Sequence, residues 1–572
     1  MAKIRVVEIR NFRAIKSLRW LPSDGINCLV GPGDSGKSSL LDAIDLCLTA
    51  RRNVQFSDAD FHRLDVLQAI TISVTIGALG DGLKNLDTYG LFLRSFDPKN
   101  GVVDDEPENG GETVLTVDLT VASDLEPVWT LMSERATAQG ITRNLSWADR
   151  AAIAPTRIGN YAENNLSWRR GSILNRLTDE RADASAALVK AARDARAGFG
   201  DQAGEQLGET IKLVTDTATK LGIPVGSTVR ALLDAHSASF TGGTIALHDD
   251  EGVPLRALGL GSARLLVAGL QRKAVDQASI ILIDEVEHGL EPHRIIRLLH
   301  SIGTKEKIAP MQAFVTTHSP VVLRELSGSQ ISILRTGSVA HEATCVGNDE
   351  GIQSTLRLFP DAFLASTILV CEGASEVGLV RGLDQYRCSV GLLSMTANGA
   401  ALVDAAGVSK IYKRVNAFEA LRYRVAVLRD DDVQPDADDE SLFEFLGGKI
   451  FKWRAGRTLE DELFASLSAA AVQKLLLKAI EYQGADLVDA HLSSASDGTL
   501  SVAKCQAGFV DTMRPMMAQA AQSKKAGWFK SISWMEEIAR EIVGPDLQNA
   551  DQAYFRILDD LFRHLENSGA GD

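Results

Sequence analysis

The sequence predicts an α/β protein with at least two domains. Its 572 residues exceed what one hydrophobic core usually organises. Near the start, a short apolar strand runs into the glycine-rich segment GPGDSGKS at residues 31–38 and then into a helical pattern. Farther along, three apolar runs end directly in carboxylates, at Asp284, Glu372 and Asp430. Strands followed by glycine-rich or acidic turns and then by helices are typical of parallel sheets whose strand ends form a binding crevice.

The composition excludes several classes of protein. With 45% apolar and 24% charged residues the chain is neither disordered nor of low complexity. Its apolar stretches fall short of the ~20 residues of a membrane span, and residues 1–5 do not lead into a signal core, so we expect no membrane association. Six scattered cysteines without a CxxC pair favour the cytoplasm over a disulfide or zinc framework. Because the net charge is −15, nucleic acid would have to bind through a local basic patch or through metal ions.

Residues 26–41 predict a phosphate-binding loop. The apolar strand 26–30 leads into GxxxxGK[ST], and a helical apolar pattern follows from Leu40. Glycines let backbone amides wrap phosphate oxygens, while Lys37 is expected to reach the β- and γ-phosphates of ATP and Ser38 to hold Mg²⁺. A glycine-rich turn before a surface helix is the alternative, and the strand–loop–helix context disfavours it. The candidate ATP-binding residues of this loop are Gly31, Gly33, Gly36, Lys37, Ser38 and Ser39.

The strand at residues 279–283 ends in two acids and resembles a Walker B element. This resemblance implies that Asp284 binds Mg²⁺ through water and that Glu285 polarises the attacking water. The segment 313–317 is a second strand that ends in a histidine. His318 there is similar to the switch histidine that contacts the γ-phosphate in ABC-type ATPases.

A head-to-head dimer is implied by a further resemblance. Residues 4–15 resemble the N-terminal hairpin of ABC-type chromosome-maintenance and recombination ATPases, and residues 258–264 loosely match their signature loop. In ABC proteins that loop caps the ATP held by the opposite subunit. The resemblance therefore places Gly261 and Ser262 among the ATP-contacting residues of a homodimer or higher homo-oligomer.

Lys37 and Asp284 are 247 residues apart in the sequence, which is long for a compact nucleotide-binding head. Residues 69–76 alternate at period two and predict a β-rich lobe. Residues 160–230 are rich in Ala, Arg, Leu and Glu and predict an inserted helical arm without a sustained heptad repeat. The arm could mediate dimerisation or cap the head. Four of its arginines form a DNA patch or a solvated helix face: Arg169, Arg170, Arg176 and Arg181.

Two carboxylate motifs follow apolar strands in the C-terminal part. Glu372 ends the strand 367–371 with Glu376 one helical turn farther on, and Asp430 and Asp432 follow the strand 424–429. An exposed acidic loop is the alternative, and it explains the acids after residue 435 better than those at the strand end. Because parallel strand ends converge on one crevice, both pairs should meet there, and hard oxygen ligands select Mg²⁺ or Mn²⁺. The two motifs resemble those of Toprim domains.

Two later features complete this set. Glu460 and Glu462 begin a predicted helix, and either is a candidate metal ligand beside Glu372, Glu376, Asp430 and Asp432. A basic, aromatic segment ends at Lys530, which we expect to neutralise the scissile phosphate or the leaving oxygen, with Lys525 as the alternative. A basic helix cap is the competing interpretation of this segment.

The whole pattern resembles the OLD (overcoming lysogenization defect) nuclease family, to which the Gabija nuclease subunit and retron-associated effectors belong. The expected domains are an ABC-type ATPase head at 1–159 and 231–345, the arm at 160–230 and a Toprim nuclease domain at 346–572. The resemblance implies a cytoplasmic, ATP-regulated, metal-dependent endonuclease that cuts double-stranded DNA in antiphage defence. It also implies catalytic roles for Glu372, Asp430, Asp432, Lys530 and Glu285 and a helicase or a reverse transcriptase with its non-coding RNA as partner.

Two other functions remain open on the sequence. A topoisomerase-like strand-passage enzyme would need a nucleophilic tyrosine, for which Tyr412 and Tyr423 are candidates without a recognisable context. An ATP-dependent DNA clamp or sensor would use the acidic domain as a scaffold that does not cut. The number of acids weighs against a scaffold, because like charges that are close together repel one another.

Overall fold

A computed structural model describes residues 2–50, 54–106, 110–159, 254–273, 279–337, 339–523 and 526–566, with short pieces between 165 and 252. The chain forms two compact units. The first contains residues 1–29 and 36–317, and the second contains residues 30–35 and 318–572.

The first unit begins with an antiparallel lobe. Its strands lie in the order β6–β5–β7–β4–β1–β2, and β8 pairs with the C-terminal half of β7. The alternation predicted for residues 69–76 is thus a strand of this lobe. In chain order the lobe contains β1 (Lys3–Phe12), β2 (Ile15–Trp20), β4 (Ile70–Gly77), β5 (Arg94–Asp97), β6 (Val102–Asp104), β7 (Glu112–Val121) and β8 (Pro127–Leu131).

Four strands of the first unit pair in parallel, in the order β3–β11–β10–β9. Their bounds are β3 (Ile26–Val30), β9 (Thr156–Ile158), β10 (Ile280–Ile283) and β11 (Gln312–Thr316). Every residue of β3, β10 and β11 is buried, as expected for strands covered on both faces. The buried Gln312 side chain bonds the backbone N–H and carbonyl of Ile4 at 2.7 and 2.9 Å and so joins β11 to β1.

The helices of this unit follow the strand ends. Among the described residues they include α1 (Lys37–Leu48), α2 (Leu86–Tyr89), α3 (Glu134–Ala138), α4 (Trp147–Ile153), α5 (Leu260–Lys273) and α6 (Pro292–Ser301). Helix α1 buries Leu40, Leu41, Ile44 and Leu48, the apolar stripe that its sequence predicts.

The second unit contains a hairpin and a separate four-stranded sheet that is parallel throughout. The sheet order is β15–β14–β16–β17. The strands are β12 (Ile331–Thr336) and β13 (His341–Cys345) in the hairpin, and β14 (Thr367–Cys371), β15 (Ala400–Asp404), β16 (Arg424–Arg429) and β17 (Lys449–Lys452) in the sheet.

Helices surround this sheet. The α-helices of more than three residues in the described part of this unit are, in chain order, α7 (Pro320–Glu325), α8 (Glu350–Leu358), α9 (Ala374–Ser389), α10 (Ile411–Glu419), α11 (Ala437–Phe445), α12 (Leu459–Ser466), α13 (Ala469–Gln483), α14 (Ala485–Ala495), α15 (Val502–Ala507), α16 (Arg514–Ala521), α17 (Ile532–Ile538) and α18 (Gln552–Glu566). Gly378 and Gly382 let α9 approach α17 closely, because a Cβ at either position would lie 2.6 or 2.2 Å from a backbone oxygen of Ile532 or Glu536. None of the helices in the described ranges combines the length and the apolar character that a bilayer crossing requires.

The two compact units divide the chain at residues 317 and 318, and the domain boundary expected at residues 345 and 346 stays a prediction. The hairpin β12–β13 belongs to the second unit together with residues 30–35. Within this unit the backbone of Gly31 lies directly against the carbonyl of Leu334. The predicted arm at 160–230, with its four arginines, lies almost entirely outside the described residues.

Candidate functional site

The loop of residues 31–36 joins strand β3 to helix α1. Gly36 has a φ of +89°, a left-handed conformation that favours glycine, and a Cβ there would lie 3.0 Å from Ile15 Cγ1. A Cβ on Gly31 would lie 2.3 Å from the Leu334 carbonyl oxygen, whereas nothing crowds Gly33 within 4 Å. The backbone therefore requires glycine at positions 31 and 36, and position 33 carries no such requirement.

Helix α1 begins at Lys37 with the features of an anion-binding helix N-terminus. No acidic side chain lies in its first turn, and no side chain caps it. The first amides of such a helix carry partial positive charge and bind phosphate oxygens. Lys37 is buried, Ser38 is exposed and Ser39 is half-buried. Together with the preceding glycines, these residues form a loop that suits the phosphates of a nucleotide.

Asp284 follows the buried strand β10. Its Oδ1 accepts hydrogen bonds from Ser38 Oγ at 3.1 Å and from Thr316 Oγ1 at 2.6 Å. Its Oδ2 lies 3.7 Å from Arg157 Nη2. The fold thus brings together the serine and the aspartate that such sites use for Mg²⁺. Sequence reasoning missed Thr316 and Arg157, although Thr316 could have been found as the last residue of the strand next to β10.

Glu285 has a strained backbone that its neighbours hold in place. Its φ is +45°, which is unusual for a residue with a side chain. Its N–H donates to Thr316 Oγ1 at 2.7 Å, and its carbonyl accepts from Arg264 Nη2 at 3.0 Å. The buried Arg264 also donates to the carbonyls of Asp284 and His288, at 2.8 and 2.6 Å. Helix α5 therefore fixes the turn that presents the exposed Glu285 side chain.

The remaining predicted ATP contacts lie on α5 and after β11. A Cβ on Gly261 would lie 2.3 Å from the Gly289 carbonyl oxygen, so α5 begins directly against the turn after Glu285. Ser262 Oγ accepts a hydrogen bond from Arg294 Nη1 at 3.3 Å. His318 follows β11 with only Thr317 between, and its side chain is exposed. The roles of Gly261, Ser262 and His318 toward ATP stay predictions.

In the second unit, Glu372 and Asp430 lie side by side. They directly follow β14 and β16, which are neighbours in the parallel sheet. Glu372 Oε2 accepts a hydrogen bond from the backbone N–H of Asp430 at 3.0 Å. Asp430 Oδ1 accepts from the N–H of Leu459, the first residue of α12, at 2.9 Å. The carboxyl edge of the sheet thus gathers residues from three distant parts of the chain.

Five carboxylates act on one another at this edge, and we call them the carboxylate cluster: Glu372, Glu376, Asp430, Asp432 and Glu460. Burial and the charges of the other four members raise the pKa of Asp430. Burial and the charges of Glu460 and Glu372 raise the pKa of Glu376. Burial also raises the pKa values of Glu372 and Glu460. These four acids are therefore held in conditions that favour either protonation or a nearby cation.

The cluster has the chemistry of a hard-cation site but not a preformed one. The Glu460 side chain is buried, and its Oε1 has no hydrogen-bond partner among the described residues. A buried, unpartnered carboxylate oxygen beside other acids fits a divalent cation. Among the described residues, however, no three His, Cys, Asp or Glu side chains lie close enough to form a ready-made metal site. Glu372, Glu376 and Asp430 each accept a hydrogen bond from a backbone N–H.

Glu460 and Glu462 have different environments. Lys530 is exposed, and its charge lowers the pKa of Glu460 against the larger effect of burial. Glu462 is fully buried and forms ion pairs with Arg454 and Arg457. The structure therefore associates Glu460 and Lys530 with the cluster, while Glu462 satisfies two arginines. Lys525, the alternative to Lys530, lies outside the described residues.

The acids after residue 432 have structural partners. The fully buried Arg429 donates to Glu440 Oε1 and Oε2, at 3.0 and 3.1 Å. The Asp436 side chain caps α11 by accepting from the N–H groups of Asp438 and Asp439. Residues 437–440 thus lie in the first turn of α11 and do not form the exposed acidic loop of the alternative interpretation, and Asp430 lies outside this segment.

Both candidate tyrosine nucleophiles are buried. Tyr423 donates its hydroxyl to the Phe363 carbonyl at 2.6 Å, and Tyr412 packs edge-on against Phe443. Burial raises the pKa of each hydroxyl above its ordinary value. Neither hydroxyl is placed to attack DNA, which removes the support for a topoisomerase-like enzyme.

Residues 26–324 match the family model described as "AAA domain, putative AbiEii toxin, Type IV TA system". No curated protein matches the chain. Three solved Smc head structures are similar over 60% of this chain. An Smc head bound to the C-winged helix domain of ScpA is 16% identical, with 96% of that chain covered and a TM-score of 0.33. The Smc head with an extended coiled coil, bound to the C-terminal domain of ScpA derived from Pyrococcus furiosus, is 14% identical, with 96% covered and a TM-score of 0.34. The Thermotoga maritima SMC head domain is 14% identical, with 99% covered and a TM-score of 0.28.

The family match spans just over half of the residues, including the phosphate-binding loop and Asp284. The predicted P-loop ATPase module is thereby confirmed, and ATP binding, usually with Mg²⁺, follows from the family. Membership in the OLD family and nuclease activity stay predictions. The chain belongs to the AAA-domain family of P-loop ATPases that is described by its relation to the AbiEii toxin of type IV toxin–antitoxin systems.

Proposed function

We propose that the chain is an ATP-regulated, divalent-metal-dependent endonuclease of double-stranded DNA. The observation that carries this proposal is the direct contact between Glu372 and Asp430 at adjacent strand ends, where Glu376 and Glu460 also act on Asp430. The arrangement resembles a Toprim domain, and an ATPase followed by such a domain resembles OLD nucleases. On this basis the role of the protein is antiphage defence in the cytoplasm, alone or beside a helicase or a reverse transcriptase with its non-coding RNA.

Each residue of the cluster has a role in this proposal. Glu372, Glu376, Asp430, Asp432 and Glu460 would hold Mg²⁺ or Mn²⁺. A bound cation supplies charge neutralisation at the scissile phosphate and an acidic bound water. Asp430 is oriented by the N–H of Leu459, and Glu372 by the N–H of Asp430. Lys530 places an ammonium group near Glu460, where it neutralises charge on the phosphate or the leaving oxygen.

The ATPase unit has a regulatory role. Lys37, Ser38 and Asp284 bind the phosphates and their Mg²⁺, and Glu285 orients the attacking water. Gly261 and Ser262 contact ATP held by a second copy of the chain, while His318 contacts the γ-phosphate. ATP occupancy of the dimerised heads then changes the rate of DNA cleavage.

A plasmid-cleavage assay tests the proposal. Purified protein with Mg²⁺ or Mn²⁺ should nick or linearise plasmid, and Asp430→Asn should lower the rate by at least about a hundredfold. Asp439→Asn is the matched control, because Asp439 is an exposed acid of the same acidic run and should cut normally. Full cleavage by Asp430→Asn would refute the nuclease assignment. Lys37→Ala tests the regulatory part: its cleavage rate is measured with ATP and with a non-hydrolysable analogue and is compared with that of the wild type.

One observation favours a second candidate, an ATP-dependent DNA clamp or sensor that does not cut. No preformed three-ligand metal cluster exists among the described residues. ATPase activity and DNA binding without cleavage in any of Mg²⁺, Mn²⁺ or Ca²⁺ would support the clamp.

A further inference from the structure

The segment Gly456–Leu459 is attached to the turn that carries Asp430. The carbonyl of Arg457 accepts a hydrogen bond from the Asp431 N–H at 3.0 Å. Asp431 Oδ2 accepts from the Gly456 N–H at 3.0 Å, and Asp430 Oδ1 accepts from the Leu459 N–H at 2.9 Å. Three hydrogen bonds therefore fix the backbone of Arg457 beside the carboxylate cluster.

Among the residues that the structure describes, only one edge of the Arg457 guanidinium is used. Nη1 donates to Glu462 Oε2 at 3.3 Å, while Nε and Nη2 have no hydrogen-bond partner among the described residues. The Arg457 side chain is 35% exposed and that of Glu462 is 0% exposed. Glu462 is itself held by Arg454 Nε at 2.6 Å and Ser466 Oγ at 2.9 Å. A buried, anchored carboxylate thus orients the arginine and leaves its Nε–Nη2 edge open.

The open edge matches one class of ligand. Two parallel N–H groups of an arginine bind phosphate or carboxylate in a bidentate manner. Acids dominate the neighbouring cluster, and the chain carries a net charge of −15, so a DNA strand needs local cations to approach it. We propose that Arg457 binds a backbone phosphate of the DNA next to the cluster and that Glu462 is its positioning residue. This inference rests on the proposed function.

DNA binding by the full-length chain tests the proposal. Fluorescence anisotropy with a labelled duplex, in chelator and over a salt series, should show about tenfold weaker binding by Arg457→Gln. The slope of log affinity against log salt should fall by about 0.9, the value for one lost phosphate contact. Arg422→Gln is the matched control. Arg422 is 73% exposed and lies before the opposite, amino end of β16, so its loss should change neither quantity.

The outcomes separate this inference from the proposed function. Wild-type affinity and slope for Arg457→Gln, or equal losses in both glutamine variants, would overturn it. Should Arg457→Gln fail to fold, Arg457→Lys decides: weaker binding at an unchanged slope supports a bidentate contact, and wild-type affinity overturns it. Asp430→Asn is assayed for cleavage in parallel. If that variant cuts DNA, the nuclease assignment fails, whereas an inactive Asp430→Asn with normal binding by Arg457→Gln overturns only the role of Arg457.

Discussion

Glu372 and Asp430, 58 residues apart in the sequence, are joined by a hydrogen bond of 3.0 Å from the backbone N–H of Asp430 to Glu372 Oε2. Their strands run parallel, with Cys371 opposite Leu428, so the two acids leave the sheet at the same edge. Both carboxyl groups have raised pKa values because they are buried among like charges. The repulsion among these carboxylates falls when one of the charges is removed or when a cation binds.

Asp430→Asn should stabilise the protein in chelator and abolish its response to Mg²⁺. Asparagine keeps the acceptor for the Leu459 N–H but removes one buried charge, which we expect to raise the free energy of unfolding by about 1 kcal/mol. The wild-type protein should gain stability with Mg²⁺, since a ligand of the folded state stabilises it. Thermal unfolding with and without Mg²⁺ measures both effects. Asp439→Asn should resemble the wild type, and a full Mg²⁺ response in Asp430→Asn would contradict a metal site at Asp430.

The strand ends that gather these acids could be predicted from the sequence, because an apolar run followed by a carboxylate is visible without a structure. Glu372, Asp430 and Asp284 were predicted in this way, and Ser38 was predicted from the glycine-rich segment GPGDSGKS. In the structure Ser38 bonds Asp284, and Glu372 bonds the backbone of Asp430 at the shared edge that the parallel-sheet argument requires. The choice between Glu460 and Glu462 could not be predicted. Both begin α12, and only the packing reveals that Glu462 meets two arginines while Glu460 Oε1 has no partner in the described chain.

Thr316→Val should slow ATP hydrolysis and lower stability only modestly. The hydroxyl links Asp284 Oδ1 and the Glu285 N–H, so its loss frees both residues of the turn that follows β10. We expect a decrease of at least about tenfold in ATPase kcat and a loss of about 1 kcal/mol in the free energy of unfolding.

Thr75→Val is the control for this change. Thr75 and Thr116 form a buried hydroxyl pair at 2.9 Å in the antiparallel lobe. This variant should lose similar stability but keep the wild-type ATPase rate. Equal rates for Thr316→Val and Thr75→Val would show that Thr316 has no role in ATP hydrolysis.

Arg264→Met should reduce ATP turnover more than ATP affinity. Its guanidinium donates to the carbonyls of Asp284, Glu285 and His288, and methionine fills the space without donors. We expect destabilisation by about 3 kcal/mol and a loss of the left-handed turn that presents Glu285. Steady-state kinetics and urea unfolding measure the two effects. Arg272→Met, on the same helix but exposed and paired with Glu306, should change each by little, and an unchanged kcat in Arg264→Met would contradict the positioning role.

Backbone conformation also limits what the sequence predicts. The positive φ of Glu285 and the role of Arg264 depend on the packing of α5 against the turn after β10. The sequence suggested Gly261 and Ser262 as ATP contacts of a loosely matching signature loop. It gave no indication that an arginine two residues later holds the Walker B turn from within the same chain, because that contact requires the tertiary fold.

Glu462→Gln should strongly destabilise the second unit. The carboxylate is fully buried, and its loss leaves Arg454 and Arg457 without their shared counter-charge. Both arginines are about a third exposed and Arg454 also pairs with Asp551, so the loss should be below the about 3–5 kcal/mol of a fully buried pair but visible as a lower midpoint of chemical unfolding. Glu481→Gln is the control, since Glu481 is 62% exposed and pairs with Lys478 at the surface. Similar midpoints for the two variants would mean that Glu462 does not anchor the arginines.

Acid should destabilise the C-terminal helix through His564. Burial and the charges of Arg424 and Lys449 lower the pKa of His564 to about 4, and its Nδ1 accepts a hydrogen bond from Arg424 Nη2 at 3.0 Å. The neutral ring is favoured in the folded state, so the unfolded chain, with its ordinary pKa of about 6.5, takes up a proton first. The contribution of the neutral His564 ring to stability is fully present above pH 6.5 and is lost as the pH falls toward 4.

His564→Asn keeps an acceptor for Arg424 but cannot be protonated, so its free energy of unfolding should fall less over this range. Chemical unfolding at several pH values measures the difference, and His293→Asn, which changes an exposed histidine of the first unit, should retain the wild-type acid response. Parallel pH profiles for His564→Asn and the wild type would assign the acid sensitivity to other groups.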